Sequence, residues 1–169
     1  MTQGKWLSLL ARHVGSEAPL GWDDLVVGYD FGLLAAEEIQ DWARSVPGSG
    51  GPVGSLAALE GEALLGFERA LWAAAMAATG KAPRPGSRRW ARAQDRWRVA
   101  LLKDAMEAPV SAEALAVLVE AVYESLGCPE DMLGLWRRST LPEDQERRTD
   151  RATIQAFIQR RELALASDH

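Results

Sequence analysis

Apolar residues recur along this chain at three- and four-residue steps, and glycine or proline repeatedly breaks the rhythm. That period places an apolar stripe on each of a series of amphipathic helices. Lys5 to Val14 reads as a first helix, with Trp6, Leu9, Leu10 and His13 at helical spacing. Trp22 to Phe31 is a second, and Gly32 follows it where a positive φ is useful. Ala35 to Val46 is a third, with Glu37 and Glu38 in its first turn, where the helix dipole favours carboxylates, and Pro47 ends it. Gly48 to Gly54 reads as a loop, with Ser55 as the N-cap of a long helix to Ala78. Leu56, Leu59, Ala63, Phe67, Leu71, Ala74 and Ala78 form one row on it, and Leu65, Trp72 and Met76 a second. A helix apolar on two sides is expected at the centre of a fold.

After the stiff connector Lys81 to Gly86, Ser87 is placed to cap a helix whose core row is Trp90, Trp97 and Leu101, running to about Ala108. Ser111 and Glu113 open another, with Leu115, Leu118, Val119, Val122 and Leu126 facing inward and Gly127 closing it. Pro129 suits the first position of a short helix through Trp136. Thr140, Pro142, Glu143 and Asp144 signal the start of a last helix, lined by Ile154, Phe157, Ile158 and Leu165. β-branched residues are sparse, while Ala, Leu, Glu and Arg abound. The expectation is an all-α fold, a single domain over residues 1–169 built as a bundle of seven or eight helices, with flexible loops near 47–54 and 80–87. A two-lobe arrangement would divide at Lys81 to Gly86.

Composition narrows the class. The chain has 169 residues, 47% hydrophobic and 25% charged, which suits a folded domain. A net charge of −5 disfavours nucleic acid as a partner. Residues 1–80 hold ten acidic groups against four basic, so the acidity is concentrated there. Cys128 is alone, which fits a reducing compartment. No signal-peptide pattern opens the sequence and no apolar run is long enough to span a bilayer, so a cytoplasmic protein without membrane contact is expected.

The search for chemistry returns little. Gly48 to Gly54 matches neither a P-loop nor a dinucleotide fingerprint, and Glu60 and Glu62 would repel phosphate. The only histidines are His13 and His169, and no carboxylate–histidine pair falls at helical spacing. His13 sits on an apolar row and reads as a partly buried, hydrogen-bonded ring. Cys128 has only His13 to serve as a base and reads as an ordinary thiol. No catalytic, cofactor-binding or metal-ligating residue is therefore expected. Two charged patches remain. Arg88, Arg92 and Arg96 recur every four residues, near Arg84, Arg89 and Arg98, but among acidic neighbours that favour internal ion pairs. Asp23, Asp24, Asp30, Glu37, Glu38 and Asp41 cluster with Trp22 and Trp42, an arrangement that fits capping charges, a carboxylate site or an acidic docking face.

The same segment carries a resemblance. Trp22-Asp23-Asp24-Leu25, Gly28-Tyr29, Gly32-Leu33, Glu38-Ile39 and Trp42-Ala43 resemble the opening of a small bacterial family, domain of unknown function 2247. The resemblance implies a small helical bacterial protein with no established enzyme activity. Some proteins similar to this family are associated with toxin systems as immunity candidates, which act by occluding a toxin surface. The resulting expectation is a protein-binding module, with a basic toxin as the partner and Trp22, Asp23, Asp24, Asp30, Glu37, Glu38 and Asp41 as the binding residues. The alternatives are an enzyme or cation-binding protein using the carboxylates, and a homodimer joined through spare tryptophans.

Overall fold

A computed structural model describes residues 5–14, 19–48, 50–135 and 150–167. The fold is all-α: the described residues contain eight α-helices, two 3-10 segments and no strand. The α-helices are α1 (Lys5–Val14), α2 (Trp22–Asp30), α3 (Ala36–Ser45), α4 (Gly51–Ala57), α5 (Phe67–Thr79), α6 (Arg88–Glu107), α7 (Ala112–Ser125) and α8 (Arg151–Ser167). The 3-10 segments are Gly61–Gly66 and Glu130–Leu135. Two units divide the chain, Met1–Ser8 with Ala18–Gln94, and Leu9–Glu17 with Asp95–His169. The later boundary falls inside α6, not at the Lys81 to Gly86 connector.

The first unit is built from short helices whose ends are stitched by specific hydrogen bonds. Leu33 N–H bonds to Gly28 C=O at 2.8 Å and Gly32 N–H to Tyr29 C=O at 2.9 Å, a Schellman closure of α2. It requires the left-handed φ of +68° at Gly32. The closure turns the chain so that Leu33 and Leu34 are buried before α3 begins. The α5 helix packs on α2 and α4, and α4 on α3. Gln40 fastens α3 to the end of α4, its side-chain amide donating to Leu56 C=O at 3.1 Å and Leu59 C=O at 2.8 Å.

The long helix expected from Ser55 to Ala78 is broken. Gly50, in extended conformation, starts α4 instead, with Pro52 in its first turn, where the proline φ is already helical. Most of the glycine-rich stretch is thus helix, and Ser55 lies inside it. Gly61, at φ +57°, ends any continuation and begins the 3-10 segment. The break separates the two apolar rows. Leu56, Phe67, Leu71 and Ala74 are buried, as the first row predicts, but Ala63 and Ala78 are exposed. Of the second row, Trp72 is half-buried while Leu65 and Met76 are exposed, so this stretch is not wrapped on all sides.

The second unit has the expected seams. On α7, Leu115, Val119, Val122 and Leu126 are buried, whereas Leu118 is exposed beside Val117. Ser111 caps this helix, accepting from Ala114 N–H at 3.2 Å. The 3-10 segment Glu130–Leu135 packs on α7 and buries Met132 and Leu135. Asp150 caps α8 through Ala152 N–H at 3.0 Å, and Ile154, Phe157 and Ile158 are buried. The expected start of this helix at Thr140, and Trp136, lie outside the described residues.

A Cβ at position 32 would meet nothing within 4 Å, so the left-handed backbone alone sets the cost of replacing the glycine. Gly32→Ala should therefore lower stability by about 1–2 kcal/mol, and Gly32→Asn by less, in urea unfolding.

Candidate functional site

The acidic–aromatic segment divides into groups with internal duties and groups left at the surface. A helix start leaves its first amide N–H groups without intrahelical partners. In α2 the Asp24 carboxylate reaches back to accept from Gly21 N–H at 2.9 Å. In α3 Glu38 does the same for Ala35 N–H at 3.0 Å. Neither Gly21 nor Ala35 has a side chain that could cap, so the third helical residue performs half of a capping box alone. Asp24 is 2% exposed and Glu38 9%.

Trp22 is also buried, packed edge-on against half-buried Trp42 with ring centroids 5.0 Å apart. Asp23 is held by a forked contact from Arg89, Nε to Oδ2 at 2.8 Å and Nη2 to Oδ1 at 2.5 Å. The same guanidinium donates to Lys81 C=O at 2.5 Å and Thr79 Oγ1 at 3.1 Å, which ties the start of α2 to the end of α5. Asp30, Glu37 and Asp41 are exposed. Asp41 pairs with Arg44 at 2.6 Å, and Arg44 also donates to Ala57 C=O at 2.9 Å. Of the seven residues singled out from sequence, Trp22, Asp24 and Glu38 therefore present almost no surface, Asp23 is occupied, and three carboxylates face solvent.

A second feature of this unit went unread in the sequence. All six residues of the 3-10 segment Gly61–Gly66 are exposed, with Leu64 at 37% and Leu65 at 93%. Acidic groups surround it by connectivity: Glu60 precedes it, Glu62 lies within it and Glu68 follows it, all exposed. Tyr29 meets Phe67 at a tilt, with ring centroids 5.0 Å apart, which fastens α2 to the start of α5. Its signal in the sequence is the second apolar row, which a continuous helix would bury and a broken one leaves at the surface.

The arginines of α6 are largely engaged. Arg98 is 5% exposed, and its Nη1 meets both carboxylate oxygens of Asp131 at 3.0 and 2.9 Å and lies 3.5 Å from Asp95 Oδ1. Arg161 joins the same two carboxylates, and both guanidinium groups lie over the Phe157 ring. Arg88 is exposed, Arg92 and Arg96 half-buried, and each has a partner. Arg137, Arg138, Arg147 and Arg148 lie outside the described residues.

The second unit also brings His13 to carboxylates distant in sequence. His13 Nε2, Asp104 Oδ1 and Glu107 Oε2 all contact Arg12 Nη2, at 2.9, 2.9 and 3.1 Å. The His13 side chain is 6% exposed. Burial lowers its pKa below the usual imidazole value, Glu107 pulls it back up and Arg12 adds to the lowering. Asp104 and Glu107 lie three apart on α6, but the histidine comes from α1, so no local spacing announces the group.

These features define an all-helical protein in which acidic residues cap short helices and flank an exposed apolar segment along the chain. The chain belongs to the bacterial family described as uncharacterized protein conserved in bacteria (DUF2247), whose model matches residues 11–162. The match extends well beyond the stretch from Gly21 to Ala43 that first suggested it. No curated protein and no solved structure matches the chain.

Two outcomes follow from the internal duties. Asp24→Ala should lower stability by about 1–2 kcal/mol in urea unfolding, while Glu37→Ala, on the exposed side of α3, should change it by less than about 0.5 kcal/mol. Asp95 is the second case. Burial raises its pKa above the carboxylate norm against the opposing pull of Arg98 and then Arg161. Its neutral form is thus favoured in the folded state, a contribution present below the unfolded pKa and lost as pH rises through the folded one. Asp95→Asn should therefore be neutral or stabilising in thermal melts at pH 7, and its advantage should vanish in acid. A loss of about 3 kcal/mol or more would mean that pairing with the arginines dominates.

Proposed function

We propose that this chain is a non-enzymatic module that binds another protein, and that the partner is basic. The observation that carries the reading is the exposed Leu64–Leu65 pair, flanked along the chain by exposed Glu60, Glu62 and Glu68. An apolar centre with a charged rim is the common plan of a docking surface. A negative rim speeds encounter with a positive partner, and desolvated leucines slow its release. Exposed Glu37 and Asp41, with Arg44 beside them, extend the negative surface along α3. Trp22, Asp24 and Glu38 take no direct part in this version of the face; they hold α2 and α3 in place. The partner we prefer is a bacterial toxin, held inactive in the cytoplasm by occlusion of its working surface. The protein-binding reading needs no cofactor, nucleic acid or membrane.

The test is a pulldown with the tagged full chain from host lysate at low salt, alongside Leu65→Asp, the Glu60→Lys/Glu62→Lys double variant and a Glu124→Lys control. A basic protein retained stoichiometrically should be lost, by roughly tenfold or more in affinity, with either test variant and kept with the control. A partner that is acidic, or that survives both test variants, sinks the reading. Light scattering separates a homodimer: a dimer dispersed by Leu65→Asp would assign the apolar pair to a second copy instead.

A further inference from the structure

We infer that His13, Asp104 and Glu107 form a binding site for a divalent transition-metal ion of the zinc class, with the Arg12 guanidinium as a resident cation that the metal displaces. The inference is independent of the docking face, since all four residues belong to the second unit. A single nitrogen, Arg12 Nη2, stands among one imidazole nitrogen and two carboxylate oxygens. The adjacent Nε–H also reaches His13 Nε2, at 3.2 Å, so one guanidinium serves all three acceptors and marks the point where they converge on positive charge. A metal ion taken up by the same three donors would replace that single cation once they close around it.

The donor set selects the metal class. One imidazole and two carboxylates suit zinc and its neighbours, whereas calcium and magnesium prefer oxygen alone. The donor atoms lie within 4.8 Å of one another. Tetrahedral zinc needs about 3.4 Å between donors, so the widest separation must close by up to about 1.4 Å. The parts that must move are the ones free to do so. The Asp104 and Glu107 side chains are 42% and 58% exposed, and Arg12 is 57% exposed, while the buried His13 ring supplies the fixed point. The Lys103 ammonium bonds His13 C=O at 3.3 Å and also pairs with Glu162, which tethers this end of α1. Release of Arg12 gives up two exposed ion pairs, which contribute little to stability, and its contacts with His13 Nε2, which the metal would replace. Three protein donors leave one tetrahedral position open to water.

The experiment is calorimetric titration of the tag-free, metal-stripped full chain with zinc chloride, then with magnesium and calcium chloride. Wild type should bind one equivalent of zinc, and neither of the other ions. Glu107→Gln, at an exposed position where folding is not at stake, should weaken zinc binding by about tenfold or more, and Asp104→Asn likewise. Arg12→Gln should bind more tightly because the competing cation is gone. A wild type that takes up no zinc overturns the assignment, whatever Arg12→Gln does. Zinc affinity unchanged in Glu107→Gln overturns it equally, by placing the ion elsewhere.

Discussion

A helix too short to share the cost of its first turn must find partners for amide groups that point at nothing. That constraint governs what the acidic residues of the first unit do. The α2 and α3 helices are 9 and 10 residues long, and the residues before them, Gly21 and Ala35, offer no capping side chain. Asp24 and Glu38 turn back to supply the missing acceptors. Because the two helix starts hold their carboxylates this way, Leu25, Val26, Val27 and Ile39 enter the core in register. Asp23 then adds a tether at longer range through Arg89, which also gathers Thr79 and Lys81. Half of a cluster that looks like a binding face is thereby committed to folding.

The second unit handles charge by a different route. Arg98 is brought into the interior with Asp95 and Asp131, and Arg161 closes the group from α8. Such a network is costly to desolvate, and the raised pKa of Asp95 marks where burial outweighs pairing. Phe157 helps to offset this by presenting its ring to the two guanidinium groups. The Arg98 Nε has no hydrogen-bond partner. What the network gives is geometry: it joins α6, α8 and the 3-10 segment Glu130–Leu135 through one set of charges, which only one arrangement of those elements satisfies.

Helix identity was legible because period and punctuation agree. Gly32, Gly80, Ser87 and Ser111 each end or begin a helix where the residue type suggests. The failure from Ser55 to Ala78 has a local cause. The apolar rhythm runs on past Ala57, where α4 ends, and through Gly61, whose positive φ is incompatible with a continuous helix whatever the pattern around it. With the helix broken there, Leu65 falls on the 3-10 segment and is exposed, while Met76 is exposed on the outer side of α5. The candidate sites were less legible, for a reason intrinsic to sequence. Whether Asp24 caps a helix or faces a partner depends on one χ rotation, and both outcomes fit the same letters. The meeting of His13 with Asp104 and Glu107 depends on tertiary packing between α1 and α6, which no spacing within either helix encodes.

Function, on this account, belongs to the groups left over once folding has taken its share. The comparison that matters is between two acidic sets of similar composition. Asp23, Asp24 and Glu38 are satisfied by backbone amides and an arginine, so bringing a partner to them would require undoing a bond already made. Glu60, Glu62 and Glu68 line a segment whose own leucines are exposed, so a partner there gains apolar burial without unmaking the fold. The same reasoning separates the two cation clusters of the second unit. Around Asp95 and Asp131 the positive charge is supplied by buried Arg98 and half-buried Arg161, each fixed over Phe157. Around His13 it is supplied by Arg12, which is more than half exposed and is held by the imidazole and two rim carboxylates. A resident cation that can leave is a place where an external one can enter, and that asymmetry is why the His13 cluster, and not the better-built network around Asp131, is the one suited to a ligand.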